Sequence, residues 1–236
     1  MHIAILTLFP DALRPYLATS IVGGAVKKGL ARIDLVDFRD FSRDRHRTVD
    51  DRPFGGGPGM VLRPEPIFDC VEWLEARHGP FRRLALTPAG RPFVQAHAGE
   101  YVKEQRLLLL CGRYEGFDER IFAELDLEEL SLGDFVLAGG ELPALAVTEA
   151  CVRLLPGALG HDQSAVEESF QGPTLDHPHY TRPRVWRGRT VPSVLLGGDH
   201  GAAAQWRANV AAKRTAERRP DLGRGQQTDP TTESGS

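Results

Sequence analysis

Three glycine-rich segments carry the residues best suited to holding a ligand: Asp50-Asp51-Arg52-Pro53-Phe54-Gly55-Gly56-Gly57-Pro58-Gly59-Met60, Cys111-Gly112-Arg113-Tyr114-Glu115-Gly116-Phe117-Asp118-Glu119-Arg120, and the run from Ser131 to Pro143 that contains Gly133, Gly139 and Gly140. Glycine adopts unusual dihedrals and lets backbone approach a ligand closely, so such segments build sites from main-chain N–H and C=O groups. Any one of them reads equally well as a tight turn with no ligand. Three, each following or interrupting a predicted strand, favour one shared site. No GxGxxG opens a helix after the first strand, and there is no GxxxxGK[ST] and no HExxH. Ordinary dinucleotide, P-loop and zincin chemistry are therefore disfavoured. Cys70, Cys111 and Cys151 are odd in number and lack CxxC or Cys/His ligand spacing, which points to buried thiols in a reducing compartment. His177 and His179 suggest a metal pair, but no third ligand lies at a suitable spacing.

The elements that must position these segments alternate. His2–Leu8 reads as a buried strand ending at Pro10, and Asp11 as the cap of a helix over Ala12–Lys28. Ile33–Phe38, Arg83–Leu86 and Leu107–Cys111 are further apolar strands. Helical spacing marks Pro66–Arg77, Val94–Glu104 and Leu142–Leu155. Strand–helix alternation implies a mostly parallel sheet with packed helices, beyond whose carboxyl strand ends ligands bind. Gly157–Ser169 is polar and weakly periodic, as in a linker. The apolar run Val191–Leu196 and a helix over Ala202–Glu217, capped near Asp199, follow it. Beyond Leu222 no apolar residue remains, and that tail is expected to be disordered.

Over 236 residues, 41% are apolar and 26% charged, with a net charge of −3, the composition of an ordinary globular chain. No apolar stretch is long enough to span a bilayer and no export signal is evident, so a cytoplasmic, membrane-free protein is expected. The net charge hides an asymmetry. Residues 171–219 hold nine basic residues (Arg182, Arg184, Arg187, Arg189, Arg207, Lys213, Arg214, Arg218 and Arg219) against Asp176, Asp199 and Glu217. Such a block is either a solvated helix face or a surface for phosphates.

DRPFGGGPGM, LCGRYEGFDER, GDFVLAGGELPA, HYTRP and RRPDL, in that order from Met1 to about Leu222, resemble the successive signatures of the bacterial tRNA (guanine-N1)-methyltransferases, members of the SPOUT class. The resemblance implies an α/β fold: a SPOUT-type parallel sheet with a C-terminal trefoil knot, followed by a small, mainly helical C-terminal domain. Chains are almost never knotted, so the knot rests on the resemblance alone. The corresponding division is a methyltransferase domain over 1–160, a linker over 161–170, a tRNA-binding domain over 171–222 and the tail 223–236. A homodimer is implied, with S-adenosylmethionine as methyl donor. Its pocket would be built from Leu86, Thr87 and Pro88, from Gly112, Arg113 and Tyr114, from Leu132, Gly133, Asp134, Phe135, Val136 and Leu137, and from Gly139, Gly140 and Pro143.

The same resemblance implies transfer to N1 of the guanosine at position 37, just 3′ of the anticodon. That chemistry needs a carboxylate to take the N1 proton and a cation near O6, where the charge develops. Arg153 matches the family's arginine for the second role. The family's base is an aspartate immediately before Ser-Phe. Here Glu168 precedes Ser169-Phe170, a departure of one methylene that changes the reach of the carboxylate. Asp176 matches another acidic family position and is the second candidate. Asp50, Asp51 and Arg52 resemble the loop that contacts the neighbouring guanosine and helps specify a GG step; carboxylates accept from guanine N1–H and N2–H₂, although for one of the two acids helix or turn capping is the favoured reading. RNA or interface contacts are the favoured reading of His177 and His179. The family also implies Mg²⁺ in catalysis, and no carboxylate cluster in the sequence identifies its ligands. Two alternatives stand beside this one: a SPOUT enzyme with a different RNA target, and a SPOUT-fold RNA-binding protein without turnover. Intact Gly112 and Gly139-Gly140 segments, with Arg153 and an acid at 168, favour an enzyme.

Overall fold

Ile3–Leu6 and Leu107–Leu110 are completely buried, as strands are when helices cover both faces of a parallel sheet. The computed structural model describes residues 1–159, 169, 170, 172 and 174–222. It divides into two compact units, Met1–Asp162 and Gln163–Ser236. The expected tail over 223–236 and most of the expected linker, 161–168, lie outside the described residues.

The first unit runs β1 (His2–Thr7), α1 (Pro10–Leu17), α2 (Ser20–Lys27), β2 (Arg32–Asp37), the short pair β3 (Asp50–Asp51) and β4 (Val61–Leu62), and α3 (Pro64–His78). It continues with β5 (Arg82–Pro92), α4 (Gln95–Tyr101), β6 (Arg106–Cys111), α5 (Arg120–Leu125), β7 (Glu128–Ser131) and α6 (Glu141–Val152). Five strands form one all-parallel sheet in the order β2-β1-β6-β5-β7. Side chains alternate across it with a period of two. Ile3, Ile5, Leu107 and Leu109 pack with residues of α1, α2, α4 and α6, while Ala4, Leu6, Leu108 and Leu110 pack with residues of α3 and α5. All three cysteines are free and buried, and burial raises each thiol pKa.

Three expectations need correction. The single helix over Ala12–Lys28 is two helices, α1 and α2. Ser20 takes a φ of 50° at the break, and a Cβ on Gly23 would lie 2.2 Å from the Ala18 carbonyl oxygen. The turn seats that glycine against the end of α1, and a two-residue interruption, Ala18 and Thr19, leaves helical spacing nearly intact. Asp11 does not cap; it sits in the first turn, paired with Arg14 at 2.8 Å. β7 carried no strand signal because two of its four residues are glutamates. β5 is also longer than Arg83–Leu86: after pairing with β7 at Leu86 the chain bulges through Thr87–Gly90 and pairs with Leu130 again at Arg91.

The second unit holds a hairpin of β8 (Val185–Trp186) and β9 (Arg189–Thr190), and helix α7 (His200–Arg218). Arg187 and Gly188 both have positive φ in the two-residue turn, the geometry that matches strand twist. Asp199 caps α7 by accepting from the Ala202 amide at 2.9 Å, as its position suggested.

One ion pair clamps α3 to β5. Both nitrogens of the Arg83 fork reach the Glu75 carboxylate, at 2.9 and 2.7 Å, and the Phe81 amide adds a bond at 3.1 Å. Partial burial alone would raise the Glu75 pKa, but these bonds hold it below the usual carboxylate range. A lowered folded-state pKa contributes stability above the unfolded pKa and loses it as pH falls through the folded value. Arg83→Ala is therefore expected to cost about 1.5–3 kcal/mol at neutral pH. Urea unfolding at a series of pH values should show the gap to the wild type closing in acid.

Candidate functional site

Beyond the carboxyl ends of β5, β6 and β7 lies a cavity of about 410 Å³, where open α/β sheets place their ligands. Its walls are mostly turns. Leu86, Thr87 and Pro88 enter from the β5 bulge; Gly112, Arg113 and Tyr114 follow β6; Leu132, Gly133, Phe135, Val136, Leu137, Gly139, Gly140 and Pro143 come from the segment between β7 and α6. Asp134, assigned to the same pocket, is exposed and is not among the lining residues.

Main-chain packing sets the shape. Arg113 and Gly139 form an antiparallel bridge, and the Gly140 amide donates to the Gly112 carbonyl at 2.9 Å. A Cβ on Gly140 would come within 2.7 Å of Cys111 Cα, and one on Gly90 within 2.3 Å of the Leu130 amide nitrogen. Both contacts are backbone, so neither can yield as a flexible side chain does. Gly90 escaped the sequence reading, although a glycine inside a strand signals a close backbone approach.

A buried carboxylate fastens these turns. Glu141, only 7% exposed, accepts from the Thr7 hydroxyl at 2.8 Å and from Arg113 Nε at 3.2 Å. Its second oxygen lies 3.0 Å from Arg113 Nη2, an ion pair outside hydrogen-bond geometry. Arg113 is thus neutralised, and its guanidinium also lies 4.5 Å from the Phe9 ring centre. Glu115, Glu119 and Glu129 line the cavity as well, with Glu129 accepting from the Thr87 hydroxyl at 2.8 Å. None of these acids was singled out beforehand, because a glutamate in a turn or short strand looks like any solvated one. The site consequently offers a positively charged ligand several carboxylates and one cation that already has a partner.

Of the other residues singled out, Asp50, Asp51, Arg52 and Arg153 are not among the lining residues. Asp50 and Asp51 form β3, and the Asp51 carboxylate accepts the Arg52 amide at 2.8 Å. The glycine segment after them contributes no lining residue; it is tied to the second one where the Glu115 amide meets the Met60 carbonyl at 2.9 Å and the Leu62 amide meets the Gly116 carbonyl at 2.8 Å. Arg153 is half-buried at the C-cap of α6. Glu168 lies outside the described residues. Asp176 belongs to the second unit, where burial would raise its pKa but bonds from His179 and the His177 amide hold it below the usual range. Among the described residues no helix is long and apolar enough to cross a membrane.

An all-parallel sheet covered on both faces, with a main-chain-walled and carboxylate-rimmed cavity at its strand ends, defines an α/β protein with a candidate ligand site at its carboxyl strand ends. The chain belongs to the tRNA (Guanine-1)-methyltransferase TrmD family, whose model matches residues 1–225. A relative from Desulforamulus reducens is 47% identical over 224 residues, covering 94% of this chain and 88% of its own. One from Geobacillus kaustophilus is 49% identical over 222 residues, covering 94% and 91%. A third, from Bacillus velezensis, is 49% identical over 223 residues, covering 94% and 92%. Each is named a tRNA (guanine-N(1)-)-methyltransferase.

Gly140→Ala and Gly90→Ala should each destabilise the chain by about 1–3 kcal/mol or more through backbone overlap. Gly24→Ala, in α2 with nothing within 4 Å of the new methyl, should be neutral or stabilising by up to about 1 kcal/mol. Thermal or urea unfolding of the three variants measures the contrast, and equal effects would refute the overlap argument.

Proposed function

We propose that the chain transfers a methyl group from S-adenosylmethionine to N1 of the guanosine at position 37 of tRNA. The observation that carries the reading is the agreement between family membership across 225 residues and a cavity whose lining takes in the turns that the family resemblance assigns to the donor. The donor suits this site on two counts. Gly139 and Gly140 line it without side chains, the space of a Cβ being taken at 139 by Arg113 and Glu141 and at 140 by the Cys111 backbone, and Glu115, Glu119 and Glu129 complement a sulfonium and an ammonium. When bound, it supplies an electrophilic methyl group.

Glu168 is assigned the N1 proton, and Arg153 the negative charge that then develops on O6. Arg153's place at the carboxyl end of α6 favours a cation through the helix dipole. Asp50, Asp51 and Arg52 are assigned to the neighbouring guanosine of a GG step. A trefoil knot through the β5, β6 and β7 turns, a homodimer and a cytoplasmic setting complete the reading. Exposed Tyr114, Phe135, Val136 and Leu142 at and beside the cavity form the kind of apolar surface that a partner subunit covers. Among the described residues the family's Mg²⁺ finds no matching ligands. Among the described residues the one converging set is Asp176, His177 and His179, and imidazoles are poor ligands for so hard a cation, so no step is derived through Mg²⁺.

The second unit is read as the tRNA-binding part. Arg184, Arg187 and Arg189 are exposed on and beside the hairpin, next to Trp186, which is 60% exposed. Replacing all three arginines by Ala should flatten the slope of log affinity for tRNA against log salt by about 1–3. An unchanged slope would return them to a solvated face.

Chemistry is tested by incubating the protein with S-adenosylmethionine and unmodified tRNA bearing a GG step, then mapping the product by mass spectrometry. N1-methylguanosine at position 37 is expected. Glu168→Gln should slow single-turnover transfer by roughly 10²–10⁴-fold while leaving donor affinity near normal. Methylation of another nucleotide would identify a different RNA target, and RNA binding without turnover a non-catalytic protein.

A further inference from the structure

The second unit contains a converging set of side chains that the methyl-transfer reading does not use as a set. Asp176 Oδ1 lies 2.8 Å from His177 Nδ1, and Asp176 Oδ2 lies 2.8 Å from His179 Nε2. One ligand atom from each of the three residues falls within 4.8 Å of the other two. The third ligand absent from the sequence reading is thus the residue directly before the pair. Asp-His-Pro-His escapes notice because known spacings describe helices and zinc knuckles, whereas here an extended segment folds the carboxylate back between two rings.

The segment is held from behind. The Asp176 amide donates to Ser169 Oγ at 2.9 Å, and the Leu175 amide donates to Thr215 Oγ1 at 2.9 Å. Thr215 is buried on α7 and donates in turn to the Ala211 carbonyl at 2.8 Å. Pro178, between the histidines, limits the backbone further. Exposure is graded across the set: 18% for the His177 side chain, 26% for Asp176 and 72% for His179. Two ligands are therefore fixed by the fold, and the third opens to solvent, leaving an entry path and room for water.

We propose that Asp176, His177 and His179 bind one divalent cation of the zinc type, with water completing a four-coordinate shell. Metal–nitrogen and metal–oxygen bonds of about 2.0–2.2 Å in a tetrahedron separate ligand atoms by about 3.3–3.5 Å, so the 2.8 Å contacts must open by about half an ångström. Rotation of the exposed His179 ring opens its own contact, and a small turn of the Asp176 carboxylate opens the one to His177. Two imidazoles with one carboxylate select zinc and its late first-row neighbours over magnesium. The cation would clip residues 175–179 to α7 through the bonds already present, and it would occupy the Asp176 carboxylate.

Full-length protein freed of metal with a chelator is titrated with Zn²⁺ by calorimetry and with Co²⁺ by visible absorption. One equivalent of Zn²⁺ per chain is expected, unaffected by excess Mg²⁺, with Co²⁺ giving the absorption of a four-coordinate nitrogen–oxygen site. His179→Ala, whose exposure protects the fold, should weaken Zn²⁺ binding at least tenfold and abolish the Co²⁺ bands. Unfolding midpoints with and without Zn²⁺ should differ for the wild type and coincide for His179→Ala. The absence of stoichiometric binding, or binding equally strong in His179→Ala, would overturn the proposal. None of these readouts depends on methyl transfer.

Discussion

The carboxylate of Glu141 is the point on which the cavity depends. A buried charge is costly unless paired, and this one is satisfied only by bringing three distant parts of the chain together: Thr7 at the end of β1, Arg113 after β6, and the first turn of α6, to which Glu141 itself belongs. The position near a helix N-terminus adds the favourable end of the helix dipole. Once Arg113 is drawn to Glu141, the bridge to Gly139 and the Gly140–Gly112 bond follow. One wall of the cavity and the seat of α6 are therefore a single construction.

The opposite wall rests on backbone against backbone. The bulge after Leu86 returns to pair with Leu130, and it does so only because Gly90 brings no side chain to the crossing. Walls of this kind present N–H and C=O groups and few competing charges. The acids at the rim then set the sign of the ligand. A cationic methyl donor is consistent with both properties, whereas the acids repel a dinucleotide or triphosphate.

Much of this was legible beforehand. Buried runs such as Leu107–Leu110 announce themselves through continuous apolar composition, and glycines concentrate where turns must accept a ligand. What failed did so for local reasons. Helical periodicity runs through Ala12–Lys28 almost unbroken, so the turn at Ser20 leaves no mark; β7 has a strand's geometry without a strand's composition. The glycines at 55, 56, 57 and 59 looked like part of the cavity, yet they serve the β3–β4 excursion beside it.

The α/β class, the parallel sheet, the two glycine segments that line the cavity and, through the motifs, the family resemblance can all be read from the chain alone, because each is written in neighbouring residues. Which acids matter emerges only on folding. Glu129 acquires a role from Thr87, Glu141 from Thr7 and Arg113, and Asp176 from two rings folded back upon it. A carboxylate's function depends on what lies within about 3 Å of it, and for most of these acids those neighbours are tens of residues away along the chain.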